Sequence, residues 1–116
     1  MTEDAIQEAI VNYLRAVLAK KIVLSIPNEG KRSPASAARL RRMGMRKGAP
    51  DLLLVIGGKA FFFEVKSAKG RVRDEQFDFQ VDADIAGAGW AIVRSIDDVR
   101  RALAHWKIPT REVVEQ

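Results

Sequence analysis

Three ionisable residues sit at the margins of the most apolar stretch of the chain, "PDLLLVIGGKAFFFEVK", residues 50–66. Asp51 opens it, and Glu64 and Lys66 close it. Gly57-Gly58 separates two apolar runs and predicts a two-residue hairpin turn. A register centred on that turn puts Asp51 opposite Glu64, within a residue. Strand alternation places Glu64 and Lys66 on one sheet face and Phe61, Phe63 and Val65 on the other, toward a core. Carboxylates facing each other across a ladder repel, and a divalent cation between them removes that cost. Mg²⁺ suits the arrangement, because one or two carboxylates hold it together with water and phosphate oxygens. A lysine beside such a cation can position or deprotonate an attacking water, or steady charge that develops on a phosphate. Each residue alone has a plainer explanation. Asp after Pro commonly marks a turn, and Glu-x-Lys is commonly a solvated ion pair. The combination carries the chemical reading.

Two more polar residues fall near this group. Residues 3–19 carry an apolar stripe of Ile6, Ile10, Tyr13, Leu14 and Val17 at helical spacing, with Thr2 as N-cap. Glu3 lies on the core-facing stripe and can reach over a sheet edge, whereas Glu8 lies on the wet face. Gln76, in the first turn of a later helix, is placed to orient a water or a phosphate. A basic segment completes the set. Residues 31–47 hold seven basic residues (Lys31, Arg32, Arg39, Arg41, Arg42, Arg46, Lys47) and no acid, and Lys69, Arg71 and Arg73 follow the hairpin. This is the footprint of a surface that meets polyanions.

The elements that must position these residues follow from periodicity and punctuation. "KIVLSIP" (21–27) reads as a strand. Ser33 caps a short helix with Pro34 at its first position, and Gly44 stops it. The hairpin follows, then a basic loop (67–74), a helix from 74 that ends at Gly87 or Gly89, a strand at 90–94, and a last helix capped by Ser95. The expected fold class is α/β: a small mixed β-sheet flanked by helices, in the order α-β-α-ββ-α-β-α. Phe61–Phe63, Phe77 and Phe79 are expected in the core, and His105 and Trp106 as packing residues. The chain is read as one domain, 1–116, with 28–49 as the basic contacting segment and 109–116 as a flexible tail.

Composition narrows the setting. The 116 residues carry a net charge of +5, with no cysteine and one histidine. Disulfide frameworks, thiolate metal sites and His-rich zinc sites are excluded. No apolar run approaches the roughly 20 residues needed to span a membrane, and no signal peptide is visible, so an intracellular, cytoplasmic location is expected.

Pro50-Asp51 followed by Glu64-Val65-Lys66 resembles the PD-(D/E)xK nuclease motif. The wider stretches "IPNEGKRS", "AARLRRMGMRKGAPDLLLV" and "FFFEVKSAKGRVRDEQ" resemble the VRR-NUC domain, the virus-type replication-repair nuclease. The pattern RxGxRKGxPDLLL joined to ExKxxKGRxxxEQ is far more specific than PD…ExK alone, and the likeness runs from about residue 3 to 106. The resemblance implies a restriction-endonuclease-like core, Mg²⁺ or Mn²⁺, and hydrolysis of DNA phosphodiesters. It implies metal ligation by Asp51, Glu64 and the Val65 carbonyl, with Lys66 catalytic, and it matches Glu3 and Gln76 to two further family positions. Glu3 would bind through water or a second metal. Lys31, Arg32, Arg39, Arg42, Arg46, Lys47, Lys69, Arg71 and Arg73 would contact phosphates, which position a nucleic acid without reading its sequence. Short stand-alone members resemble phage-encoded proteins similar to homodimeric Holliday-junction resolvases, so branched DNA and a symmetric dimer are expected. Arg73 departs from the pattern, since relatives usually place Ser or Thr there as a helix cap. Three alternatives remain open: a flap- or nick-directed nuclease, a non-catalytic DNA-binding module on the same fold, and an assembly accessory protein whose basic region meets an acidic partner.

Overall fold

The computed structural model describes residues 1–27 and 33–112. Its elements follow the expected order: α1 (Glu3–Val17), β1 (Lys21–Ser25), α2 (Pro34–Arg42), β2 (Leu52–Ile56), β3 (Lys59–Val65), α3 (Asp74–Ile85), β4 (Gly89–Val93) and α4 (Ile96–His105). The strands form one mixed sheet in the order β1-β2-β3-β4. β1, β2 and β3 are antiparallel, and β4 joins β3 in parallel after the α3 crossover.

Local chemistry accounts for the ends of these elements. Thr2, Ser33 and Ser95 each accept a backbone N–H through the side-chain hydroxyl at the start of α1, α2 and α4. Pro34 occupies the first turn of α2, and Gly44, with φ +105°, follows its C-cap. Gly57 and Gly58 both have positive φ, 58° and 74°, the backbone of a primed hairpin turn. Gly87, at φ +82°, ends α3, and Gly89 instead opens β4.

The core lies on one side of the sheet. Ile6, Ile10, Leu14 and Val17 of α1 and Val99 and Leu103 of α4 close over Leu52, Leu54, Phe61, Phe63, Val65 and Val93. Gly89 stands opposite Phe61 in the parallel ladder, and the absence of a side chain there lets Trp106 stack on Phe61 with ring centroids 4.7 Å apart. Among the described residues, no helix is long and apolar enough to cross a membrane.

Three expectations are corrected. Phe77 is not core: it is 46% exposed, on the outward side of α3. Phe61 and Phe63 are buried, while Phe62 and Phe79 pack edge to face on the opposite sheet surface. His105 is exposed, and only Trp106 packs. The segment after Pro109, expected to be free, is tied down as far as Glu112. The Arg111 backbone N–H and guanidinium donate to the carbonyls of Val17 and Leu18, which satisfies the C-terminal end of α1. Tyr13 Oη donates to Glu112 at 2.6 Å, and Arg100 pairs with the same carboxylate. Residues 113–116 lie outside the described residues.

Candidate active site

The hairpin register continues by one step from the Leu52–Phe63 pair to bring Asp51 opposite Glu64. Asp51 is fixed from three directions. Its N–H donates to Phe63 O (3.1 Å), its carbonyl accepts from Ile26 N (2.8 Å), and its Oδ2 accepts from Val65 N (2.7 Å). Glu64 is only 2% exposed and Lys66 8%, so both are buried on the sheet face away from α1 and α4.

These residues border one cleft of about 360 Å³. Glu3, Asp51, Glu64, Val65, Lys66 and Gln76 line its floor and one wall. Arg46, Lys47 and Arg73 stand at its rim. Glu8 instead borders a separate groove on α1. Arg39, Arg42, Lys69 and Arg71 do not line the cleft, and Lys31 and Arg32 lie outside the described residues.

The electrostatics of the floor are unusual. Burial, then a hydrogen bond and charge repulsion from Asp51, push the Glu64 carboxyl up to about 9, while Lys66 opposes the rise and Glu3 adds slightly to it. Glu64 Oε1 is buried without a hydrogen-bond partner. An orphaned buried oxygen is rare in a native fold and asks for a missing partner. A hard divalent cation answers that need, since Asp51 and Glu64 present oxygen donors to the same space. Among the described residues, no three His, Cys, Asp or Glu side chains converge into a metal cage. The close donor set is therefore the two carboxylates, and Glu3, exposed at the border of the cleft, stands outside it.

α3 contributes its N-terminus. Arg73 occupies the N-cap position, and its side chain offers no acceptor for capping. Gln76 makes the reciprocal contact, with Oε1 accepting from Arg73 N at 2.8 Å. Gln76 is 4% exposed and lines the cleft, so its amide N–H₂ is the end left to donate. The rim cations already have acidic neighbours on α3. Arg46 pairs with Asp82 at 2.7 Å and lies over the Phe79 ring. Lys47 and Arg73 both approach Glu75, at 3.9 and 3.7 Å. All three cations are exposed, and such pairs contribute little to stability.

Two positioning residues are visible only in the fold. Gly48, with φ +83°, seats the loop before Pro50 against the first turn of α3; a Cβ there would lie 2.3 Å from the Glu75 carbonyl oxygen. Gly48→Ala is therefore expected to cost about 1–3 kcal/mol through backbone strain and to loosen the Arg46–Lys47 rim. Thermal denaturation checks it; an unchanged melting temperature contradicts the close approach. The pattern RxGxRKGxPDLLL contains Gly48, but only the fold shows that it meets the first turn of α3. Arg94 holds the loop after Lys66, donating through Nη1 to Ser67 O (2.5 Å) and Gly70 O (2.8 Å). No sequence signal separates it from other basic residues.

A scan against protein-family models finds no match for this chain, and a search of curated proteins finds none either. Among solved structures, a chain named "VRR_NUC domain protein" matches with a TM-score of 0.74 and 21% sequence identity, covering 100% of this chain and 97% of that one. At that identity the likeness speaks to architecture alone. The small mixed sheet with flanking helices is thus a restriction-endonuclease-like core, and this chain has the VRR-NUC domain fold.

Proposed function

We propose that this protein is a divalent-cation-dependent endonuclease that hydrolyses phosphodiester bonds in branched or structured DNA, of the four-way-junction kind, as a homodimer of single 1–116 domains. The observation that carries the reading is the buried, unpartnered Glu64 Oε1 facing Asp51 in a cleft that also holds Lys66 and has a cationic rim. Asp51, Glu64 and the Val65 carbonyl hold Mg²⁺ or Mn²⁺, and Glu3 takes part through water. Bound there, the cation neutralises phosphate oxygens and acidifies water. Lys66 assists the attacking water or steadies the charge of the transition state, and Gln76 orients water through its amide. Arg46, Lys47 and Arg73 exchange their α3 carboxylates for DNA phosphates, and Lys69 and Arg71, with Lys31 and Arg32, extend that contact. Affinity then falls steeply with salt and depends little on sequence. An intracellular setting, with a phage-encoded protein acting in its host, suits a chain without cysteines.

A DNA-binding module without catalysis is the second reading, favoured by the lack of a three-acid cluster among the described residues. One experiment separates the two. Labelled duplex, flap, splayed arm and four-way junction are incubated with Mg²⁺, Mn²⁺ or EDTA, with wild type beside Asp51→Asn. The expected result is cleavage of the junction by wild type in either metal, none in EDTA, and a loss of at least about a hundredfold in the variant with DNA still retained. DNA retention without cleavage by wild type establishes the binding module instead. Preferential cutting of the flap redirects the substrate assignment.

A further inference from the structure

Among the described residues, apart from Met1, the large apolar side chains left exposed lie on the side of the sheet opposite α1 and α4: Ile22 and Leu24 on β1, Met43 after α2, and Phe77, Val81 and Ile85 on α3. The last three are 46%, 56% and 81% exposed and recur every fourth residue, so they form one stripe. Asp74, Asp78 and Asp84 fall on the same helical face by the 100° rule, and α3 contains no basic residue. None of these three aspartates pairs with a cation among the described residues. DNA is repelled by such a face, and so is a second α3 laid directly upon it.

α2 has the complementary character. It fully buries no side chain, and among the described residues its Cα atoms stay more than 8 Å from those of every other helix and strand. A helix this short is marginal without tertiary support. Its outward side carries Arg39 and Arg42, neither with a partner among the described residues, and Met43 follows at 67% exposure. α2 and α3 border the same apolar groove of about 590 Å³, to which they contribute Leu40 and Phe79 above Phe62.

We propose that two copies of the chain associate about a two-fold axis, with α2 of each docked on α3 of the other. Arg39 and Arg42 meet Asp74, Asp78 and Asp84, and Met43 packs on the Phe77–Val81–Ile85 stripe. A self-complementary pairing of this kind closes as a dimer. It assigns Arg39 and Arg42 to self-association rather than to DNA. The inference rests on the dimeric form proposed above, and its readout is mass, which does not depend on cleavage.

The full chain is followed by sedimentation velocity over a dilution series at low and high salt. The expected result is a dimer that weakens with salt, because screening acts on the complementary charges. Val81→Asp is monomeric where wild type is dimeric. Asp78→Arg and Arg42→Asp each weaken association at least about tenfold, and the double variant restores it. All of these positions are exposed, so unfolding temperatures stay close to wild type. A wild type that is monomeric throughout, a dimer indifferent to Val81→Asp, or a double variant no better than the singles overturns the proposal. A dimer with this behaviour in a protein that cuts no DNA leaves the interface standing and removes the nuclease reading.

Discussion

If the proposed nuclease reading holds, Glu64→Gln is expected to remove cleavage and yet leave the metal-free protein at least as stable as wild type from neutral pH upward. Glu64 is an ordinary carboxyl in the unfolded chain, and in the fold it titrates near 9 because burial and Asp51 oppose its ionisation. The folded state therefore holds a proton that the unfolded state releases. The stability attached to that proton is complete below the unfolded value of 4.5 and is lost as pH rises through about 9. A glutamine keeps the shape and the neutral form, so its stability does not fall over this window. The gap in melting temperature should reach about 5 °C or more at the alkaline end. Mg²⁺ or Mn²⁺ should raise the wild-type melting temperature most at alkaline pH, where Glu64 can ionise, and leave the variant unmoved. Cleavage should fall at least about a thousandfold, at the upper end of what one placed charge contributes. Melting curves from pH 5 to 9, with metal or EDTA, check the first part, and single-turnover rates the second. A wild type that melts at one temperature across that range contradicts the buried pair.

Lys66→Ala is expected to slow cleavage by about a hundredfold while leaving DNA affinity nearly unchanged. Lys66 is 8% exposed, and its charge is a nearby influence that favours ionisation of Glu64. In the proposed nuclease its loss would remove the cation beside the scissile phosphate, and it also makes Glu64 harder to ionise. In the proposed function DNA affinity would come from the exposed cations of the rim and the following loop, so one buried lysine would contribute little to it. Lys66→Arg should not rescue the rate, because a planar guanidinium cannot replace a compact ammonium in a packed site. Gly70 reinforces this: a Cβ there would come 3.4 Å from Lys66 Cδ, so the stem of the lysine is closely flanked. Single-turnover rates and fluorescence anisotropy with the same junction separate the two quantities. A parallel loss of rate and affinity would place Lys66 among the phosphate-binding cations and not in the chemistry.

The pairing of Asp51 with Glu64 was legible in the chain itself. Two glycines at 57 and 58 specify a tight turn, a tight turn specifies the register, and the period of two along a strand decides which side chains share a face. The helix starts at Thr2, Ser33 and Ser95 were legible for the same reason: each cap is a contact within a few residues of the chain. The rim of the cleft was not. Arg46 and Lys47 reach it, while Arg39 and Arg42 do not, because Gly48 seats the loop on the first turn of α3, a contact between residues far apart in sequence. Phe77 and Phe79 are two residues apart on one helix, and only the sheet beneath determines that Phe79 meets Phe62 while Phe77 faces solvent. Likewise, residues 110–112 carry no periodic signal, and they are held in place because Tyr13 and the open carbonyls of α1 stand within their reach. Short-range geometry thus determined the facing carboxyl pair, and long-range packing decided which cations surround it and which surfaces remain free.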